Sequence, residues 1–215
     1  ETVTYMLAGE FEHKDSTGGE GRMTAGDVQW MKTGSGIIHS EMPAMKEGKL
    51  HGFQLWINMP ASLKMSKPEY HYIDANEMSM HHDEDKKIKV IAGKFENAEG
   101  PIKKHNVEPI FFDVELKQNK QFSFSIPKSH NSFVYLVDGR IKIGNLSHDN
   151  IEGSKLVLLT NGNNLKVSAE TNAKFLLIAG EPIGESIARG GPFVMNTKSE
   201  IIQAINDYNN GTFVR

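Results

Sequence analysis

The 215-residue sequence contains no cysteine. That single absence excludes disulfide frameworks, thiolate zinc sites, iron–sulfur clusters and cysteine nucleophiles, so any metal must be held by nitrogen and oxygen. No apolar run approaches the roughly 18 residues of a membrane-spanning helix. There is no basic excess either: Lys+Arg number 24 against Asp+Glu 27, a net charge of −3, which argues against direct nucleic-acid binding. No nucleophile elbow or Ser-His-Asp order is visible, and Gly18-Gly19-Glu20-Gly21 reads as a turn rather than a phosphate loop opening a helix. The sequons at Asn145 and Asn210 carry no weight. Without cysteine or a basic-then-apolar leader, the chain reads as cytoplasmic, with small molecules or proteins as partners. It has no initiator Met and passes from Glu1 directly into the β-rich run Thr2-Val3-Thr4-Tyr5-Met6-Leu7.

What is present is an internal repeat. Tyr5-Met6-Leu7-Ala8-Gly9-Glu10-Phe11 returns as Tyr135-Leu136-Val137-Asp138-Gly139-Arg140-Ile141, 130 positions on. Phe53-Gln54-Leu55-Trp56-Ile57 returns as Phe175-Leu176-Leu177-Ile178-Ala179, 122 positions on. Two matches in the same order predict a duplicated all-β unit, each Gly marking a hairpin turn. Further strands are expected at 88–92, 110–116, 122–126, 156–159 and 165–168. The polar stretch 76–87, with His81-His82-Asp83-Glu84-Asp85, reads as a connector, placing a domain boundary near residue 85. Thr197-Lys198-Ser199-Glu200 is a capping box, so a helix is predicted over 197–209 whose stripe Ile201, Ala204, Ile205 and Tyr208 docks on the β core. About three strands precede Tyr135 but only four residues precede Tyr5, so the first unit is expected to lack its beginning and to leave Val3, Tyr5 and Leu7 uncovered.

His39-x-Glu41 puts an imidazole and a carboxylate on one face of a strand, a donor pair suited to iron, nickel or another divalent ion. On spacing alone such a pair is usually just a solvated strand face. His13 reads as a surface or otherwise satisfied histidine, with a supporting hydrogen bond behind the site as the alternative. His51, His71, His105, His130 and His148 read as structural or surface residues, and His81-His82 as a poor, adventitious chelator. Trp30, Trp56, Phe53 and Met31 read as barrel core, with cavity lining as the second possibility.

Several segments together resemble the pirin family of the cupin superfamily: Gly26-Asp27-Val28-Gln29-Trp30-Met31, then Gly34-Ser35-Gly36-Ile37-Ile38-His39-Ser40-Glu41-Met42-Pro43, and Gly191-Pro192-Phe193-Val194-Met195-Asn196-Thr197. The resemblance implies an all-β bicupin, with an incomplete N-terminal cupin domain over 1–85, a C-terminal cupin domain over 86–190, and a segment 191–215 whose helix packs across them. It makes His39 and Glu41 metal ligands, with Glu41 also catalytic, for Fe(II) or another divalent transition metal. Members carry a His-Pro-His motif shortly before the position of Glu1, so two of four ligands have no counterpart in these residues and the site is incomplete. The implied activity of the full-length form is iron-dependent dioxygenation of a flavonol such as quercetin. The alternative is a non-enzymatic co-regulator that binds a transcription factor and uses its metal as a redox-sensitive element. Either way the expectation is a cytoplasmic monomer, nuclear as well in a eukaryote. The second barrel is expected to be metal-free, with Ala169 and Thr171 at the positions of His39 and Glu41.

Overall fold

The structure is a computed structural model describing residues 1–102, 107–144 and 150–214; His105, His148 and the sequon at Asn145 lie outside the described residues. It divides into two compact units, Glu1–Asn76 with Ile183–Arg215, and Glu77–Pro182. Among the described residues no helix is long and apolar enough to cross a membrane.

The first unit begins with β1 (Thr2–Ala8), β2 (Phe11–Asp15), β3 (Glu20–Met23), β4 (Val28–Lys32), β5 (His39–Pro43), β6 (His51–Trp56) and β7 (Glu69–Ile73). They form two sheets, β6-β1-β4-β7 and β3-β2-β5. The second unit holds β8 (Ser79–His82), β9 (Lys86–Ala92), β10 (Lys94–Phe95), β11 (Ala98–Glu99), β12 (Ile110–Leu116), β13 (Gln121–Phe124), β14 (Asn131–Asp138), β15 (Arg140–Ile143), β16 (Ile151–Glu152), β17 (Lys155–Leu158), β18 (Leu165–Ala169) and β19 (Ala173–Gly180). Its sheets are β17-β14-β19-β12-β9-β8 and β13-β18-β15-β16. This is the expected all-β bicupin.

The repeated segments are corners, not hairpins. β1 and β2 belong to different sheets, as do β14 and β15, so the chain changes sheet at Gly9 and Gly139. Both glycines have positive φ, +80° and +88°, and at Gly9 a Cβ would lie 2.7 Å from the Lys49 carbonyl oxygen. Alternating residues around a glycine cannot separate the two cases, because a bulge supplies the difference: register slips between Met6 and Ala8, and again between Leu136 and Asp138. Register also corrects the second repeat. Tyr5 faces Phe53 and Tyr135 faces Leu176, so the copies are 123 positions apart there, not 122. One residue matters because it moves every side chain to the opposite face.

The connector expected at 76–87 is instead structured. β8 pairs antiparallel with β9, His81 opposite Ile88, so the break falls at Asn76/Glu77 and not near 85. The charges that suggested a linker sit on an edge strand and its turn, where solvated charge discourages further pairing. Nor are Val3 and Tyr5 uncovered: lying between β4 and β6, they are 0% and 2% exposed. β6 is the last strand of its sheet, whereas its counterpart β19 is paired on both sides.

After Ile183 the chain returns to the first unit as the hairpin of β20 (Ala188–Gly190) and β21 (Phe193–Met195), followed by α1 (Lys198–Asn209). The capping box forms as expected, Glu200 N–H donating to Thr197 Oγ1 and Thr197 N–H to the Glu200 carboxylate. The apolar stripe is only partly used. Ile201 is buried and presses on Gly190, and Tyr208 meets Phe193 and Phe213, but Ile205 and Tyr208 remain 40% and 53% exposed. Helical periodicity names a face without saying how wide a surface is available to cover it.

Candidate functional site

In the first unit, directly opposed residues share a face. Thr4 of β1 lies opposite Gln29 of β4 on one side and Gln54 of β6 on the other, so these three polar residues form one row across the sheet. The row closes on Glu41 of β5. Gln29 Nε2 donates to Glu41 Oε1 at 3.0 Å, Thr4 Oγ1 to the same oxygen at 3.4 Å, and Gln54 Nε2 to Oε2 at 3.2 Å. Gln29 is 0% exposed and its own Oε1 accepts from the Tyr70 hydroxyl at 3.3 Å. Burial and the negative charges of Asp15 and Glu41 push the Tyr70 hydroxyl above its ordinary range, so it stays a donor.

Opposite Glu41 on β2 stands His13, and opposite His39 stands Asp15. The His13 side chain is fully buried, and its Nε2 donates to Asp15 Oδ2 at 2.9 Å. Its ring stacks between Tyr70 at 4.9 Å and His39 at 5.8 Å, and its Nδ1 is buried without a partner among the described residues. Burial would raise the Asp15 carboxyl. Hydrogen bonds from the Thr17 hydroxyl, His13 and the backbone N–H groups of Thr17 and Gly19 outweigh it and hold the carboxyl at about 2. With Nε2–H committed to a carboxylate, Nδ1 is left as the accepting nitrogen.

His39 and Glu41 thus stand on one face of β5, His39 exposed and Glu41 half-buried. Imidazole nitrogen and carboxylate oxygen suit a divalent first-row ion. Two further observations fit such an ion: Glu41 is surrounded by neutral donors and pairs with no cation among the described residues, and the buried Nδ1 of His13 and Oγ1 of Thr2 are unpartnered. The described residues do not complete a site alone, because no group of three or more His, Asp or Glu side chains among them is placed to hold an ion.

The sequence reading undervalued His13, which is no surface residue, and it missed Thr4, Gln29 and Gln54, which only register brings together. Trp56 is 44% exposed rather than core, while Trp30 is buried and donates to the Glu1 carboxylate at 2.7 Å. The histidine pair at 81–82 does have a β scaffold. His81 bridges Asp83 and Glu96, 3.1 Å to each, which ties β8 to the β10–β11 turn and leaves neither ring nitrogen free for a metal. In the second unit the register places Leu165 and Val167, not Ala169 and Thr171, at the positions of His39 and Glu41. Ile141 and Ile143 face Ala169 and Val167 as Phe11 and His13 face Pro43 and Glu41.

Comparison with known proteins finds two family models along the chain. Residues 1–57 match the family model described as Pirin, and residues 111–214 the one described as the pirin C-terminal cupin domain. A pirin-like protein of Caulobacter vibrioides is 40% identical over 99% of this chain and 77% of its own. Pirin-1 of Arabidopsis thaliana is 40% identical over 98% and 74%. The crystal structure of a quercetin 2,3-dioxygenase from Acinetobacter baumannii superposes with a TM-score of 0.91, at 35% identity, over 99% of this chain and 75% of that one. With matches at both ends of the sequence and identity spread over its length, the chain belongs to the pirin family.

Proposed function

We propose that this protein is a cupin metalloenzyme that opens the heterocyclic ring of a flavonol with dioxygen. The observation that carries the reading is the Glu41 carboxylate, gripped by Gln29, Gln54 and Thr4, facing His39 and unpaired with any cation among the described residues. In this reading His39 and Glu41 are two ligands of a divalent transition metal such as Fe(II), and the His-Pro-His segment expected upstream of Glu1 supplies the others. When bound, the metal supplies Lewis acidity and open coordination positions. The remaining work falls to the chain. Three donors fix the carboxylate plane of Glu41 before substrate arrives, so no reorganisation is needed. Oε1 accepts from both Gln29 and Thr4 while Oε2 accepts from Gln54 alone, leaving Oε2 the freer oxygen to accept the proton of the substrate hydroxyl. The buried pair of His13 and Asp15 stands behind His39 and limits where its ring can turn. The same reading makes the protein a cytoplasmic monomer acting on a small aromatic substrate.

A metal titration and a quercetin-bleaching assay, run on the present chain and on one extended upstream by His-Pro-His, test this. The longer chain binds one metal and bleaches quercetin; the present chain binds iron weakly and does no better than free ferrous ion. Unchanged metal content after His39→Ala in the longer chain, or full activity in the shorter, overturns the assignment.

A further inference from the structure

Beside Glu41 lies a second feature that the metal chemistry does not use. Trp56 occupies the same face of β6 as Gln54, one row along, opposite Thr2. Its Nε1 donates to Gln54 Oε1 at 3.4 Å, while the other end of that amide donates to Glu41. One side-chain amide therefore ties the indole to the carboxylate and fixes both. Over the indole lies Arg189 of β20, its guanidinium carbon 5.1 Å from the ring centroid. Arg189 is exposed, and its side chain makes no hydrogen bond or ion pair with any described residue. A guanidinium held over an aromatic face keeps N–H donors available for a further partner.

Such an arrangement has a specific chemical complement. The indole, with its one polar atom already committed, offers apolar surface for an aromatic ring, and the guanidinium edge matches two oxygens of an acid. The second unit lacks both parts, since the register position of Trp56 is Ala179 there.

We propose that Trp56 and Arg189 form the outer end of a ligand site whose inner end is Glu41, and that its ligand is an aromatic molecule bearing an acidic substituent. The inference rests on reading the surroundings of Glu41 as a ligand site, and adds to it the class of molecule. Arg189 takes the acid, Trp56 abuts the ring, and the end of the molecule away from the acid lies toward Glu41.

The test compares catechol with 3,4-dihydroxybenzoate, the same ring with and without a carboxylate, titrated into metal-free protein while tryptophan fluorescence is followed. The carboxylate form binds about tenfold more tightly to the unaltered protein. Arg189→Gln removes that preference and changes catechol binding by less than about twofold, whereas Arg189→Lys keeps part of it, because an ammonium supplies charge without the fork. Trp56→Phe abolishes the fluorescence response and leaves the signal of Trp30. The proposal is overturned if neither molecule binds saturably, if both bind equally, if the preference survives Arg189→Gln, or if the response survives Trp56→Phe. Failure here is separable from failure of the dioxygenase reading. Quercetin turnover by metal-loaded protein that shows no carboxylate preference in binding ends this proposal alone, and carboxylate preference without turnover ends only the other.

Discussion

In the first unit the row Gln54–Thr4–Gln29 closes on Glu41; in the second the same register positions are Leu177–Val134–Val157, closing on Val167. His13 becomes Ile143. The strands pair alike, even to the bulge before each corner glycine, yet one interior holds a carboxylate and its donors and the other is hydrocarbon. The second unit packs twenty buried residues into one core, with Phe95, Phe112, Phe122 and Phe175 in ring contact, whereas in the first unit buried apolar residues such as Val3, Tyr5, Val28, Trp30 and Met31 share the strands with that polar row. Backbone register is therefore indifferent to what it encloses. Fully burying one aromatic or aliphatic side chain stabilises by about 1.5–3 kcal/mol, whereas a buried hydrogen-bonded amide contributes only about 1 kcal/mol net. Residue for residue, the polar row therefore contributes less to stability than the hydrocarbon at the same positions of the second unit.

The sharpest way to break the comparison is to write one interior into the other. Val167→Glu puts a carboxylate where Glu41 would be but surrounds it with Leu165, Leu177 and Val134. It should cost about 3–5 kcal/mol in urea unfolding of the second unit. A loss under about 1 kcal/mol would mean that the donors around Glu41 are incidental. Next in size, in the chain carrying His-Pro-His, His39→Ala should lower metal affinity more than about 100-fold, read as metal content after dialysis, since changes around ligands alone cost 10–100-fold. Asp15→Asn should cost about 1.5–3 kcal/mol at neutral pH by removing a charged acceptor from buried His13. Its sign with pH follows from the carboxyl's position. The folded value near 2 lies below the ordinary 3.8, so the contribution is present above about pH 4 and is lost as pH falls toward 2. Acid unfolding midpoints of the native protein should show that window, and the variant should not. Smallest, Gln54→Leu, which copies Leu177, should change stability by less than about 1.5 kcal/mol in either direction while moving the fluorescence of Trp56.

The sequence foretold the duplication because a corner glycine and its flanking alternation leave a local signature. It could not say corner rather than hairpin, because what lies across from Phe11 is decided by Met23 and Pro43, distant in the chain. The pair at 39 and 41, proposed as ligands, stands out in the sequence by spacing and resemblance; the side chains around it do not. Thr4, Gln29 and Gln54 are unremarkable residues in three separate strands, joined only by register. His13 sits in Phe-Glu-His-Lys, a context that looks solvated, and its complete burial is a property of β3 and β5 on either side of it. The charged stretch at 76–87 misled for the opposite reason, since an edge hairpin and a linker have the same composition. At the other end of the chain, the capping box located the helix to within a residue because caps are local.

One consequence concerns the order in which a ribosome could finish the molecule. The second unit is a single uninterrupted stretch, Glu77–Pro182, and all of its strands are made before Ile183 and the residues after it. The first unit is split: its hairpin β20–β21 and α1 are translated only after the whole second unit, and Glu185, which accepts from Ala61 N–H at 2.8 Å, is 124 positions downstream of its partner. During synthesis the contiguous second unit can form before the residues from Ile183 onward exist, whereas the first unit is finished only by elements made after it.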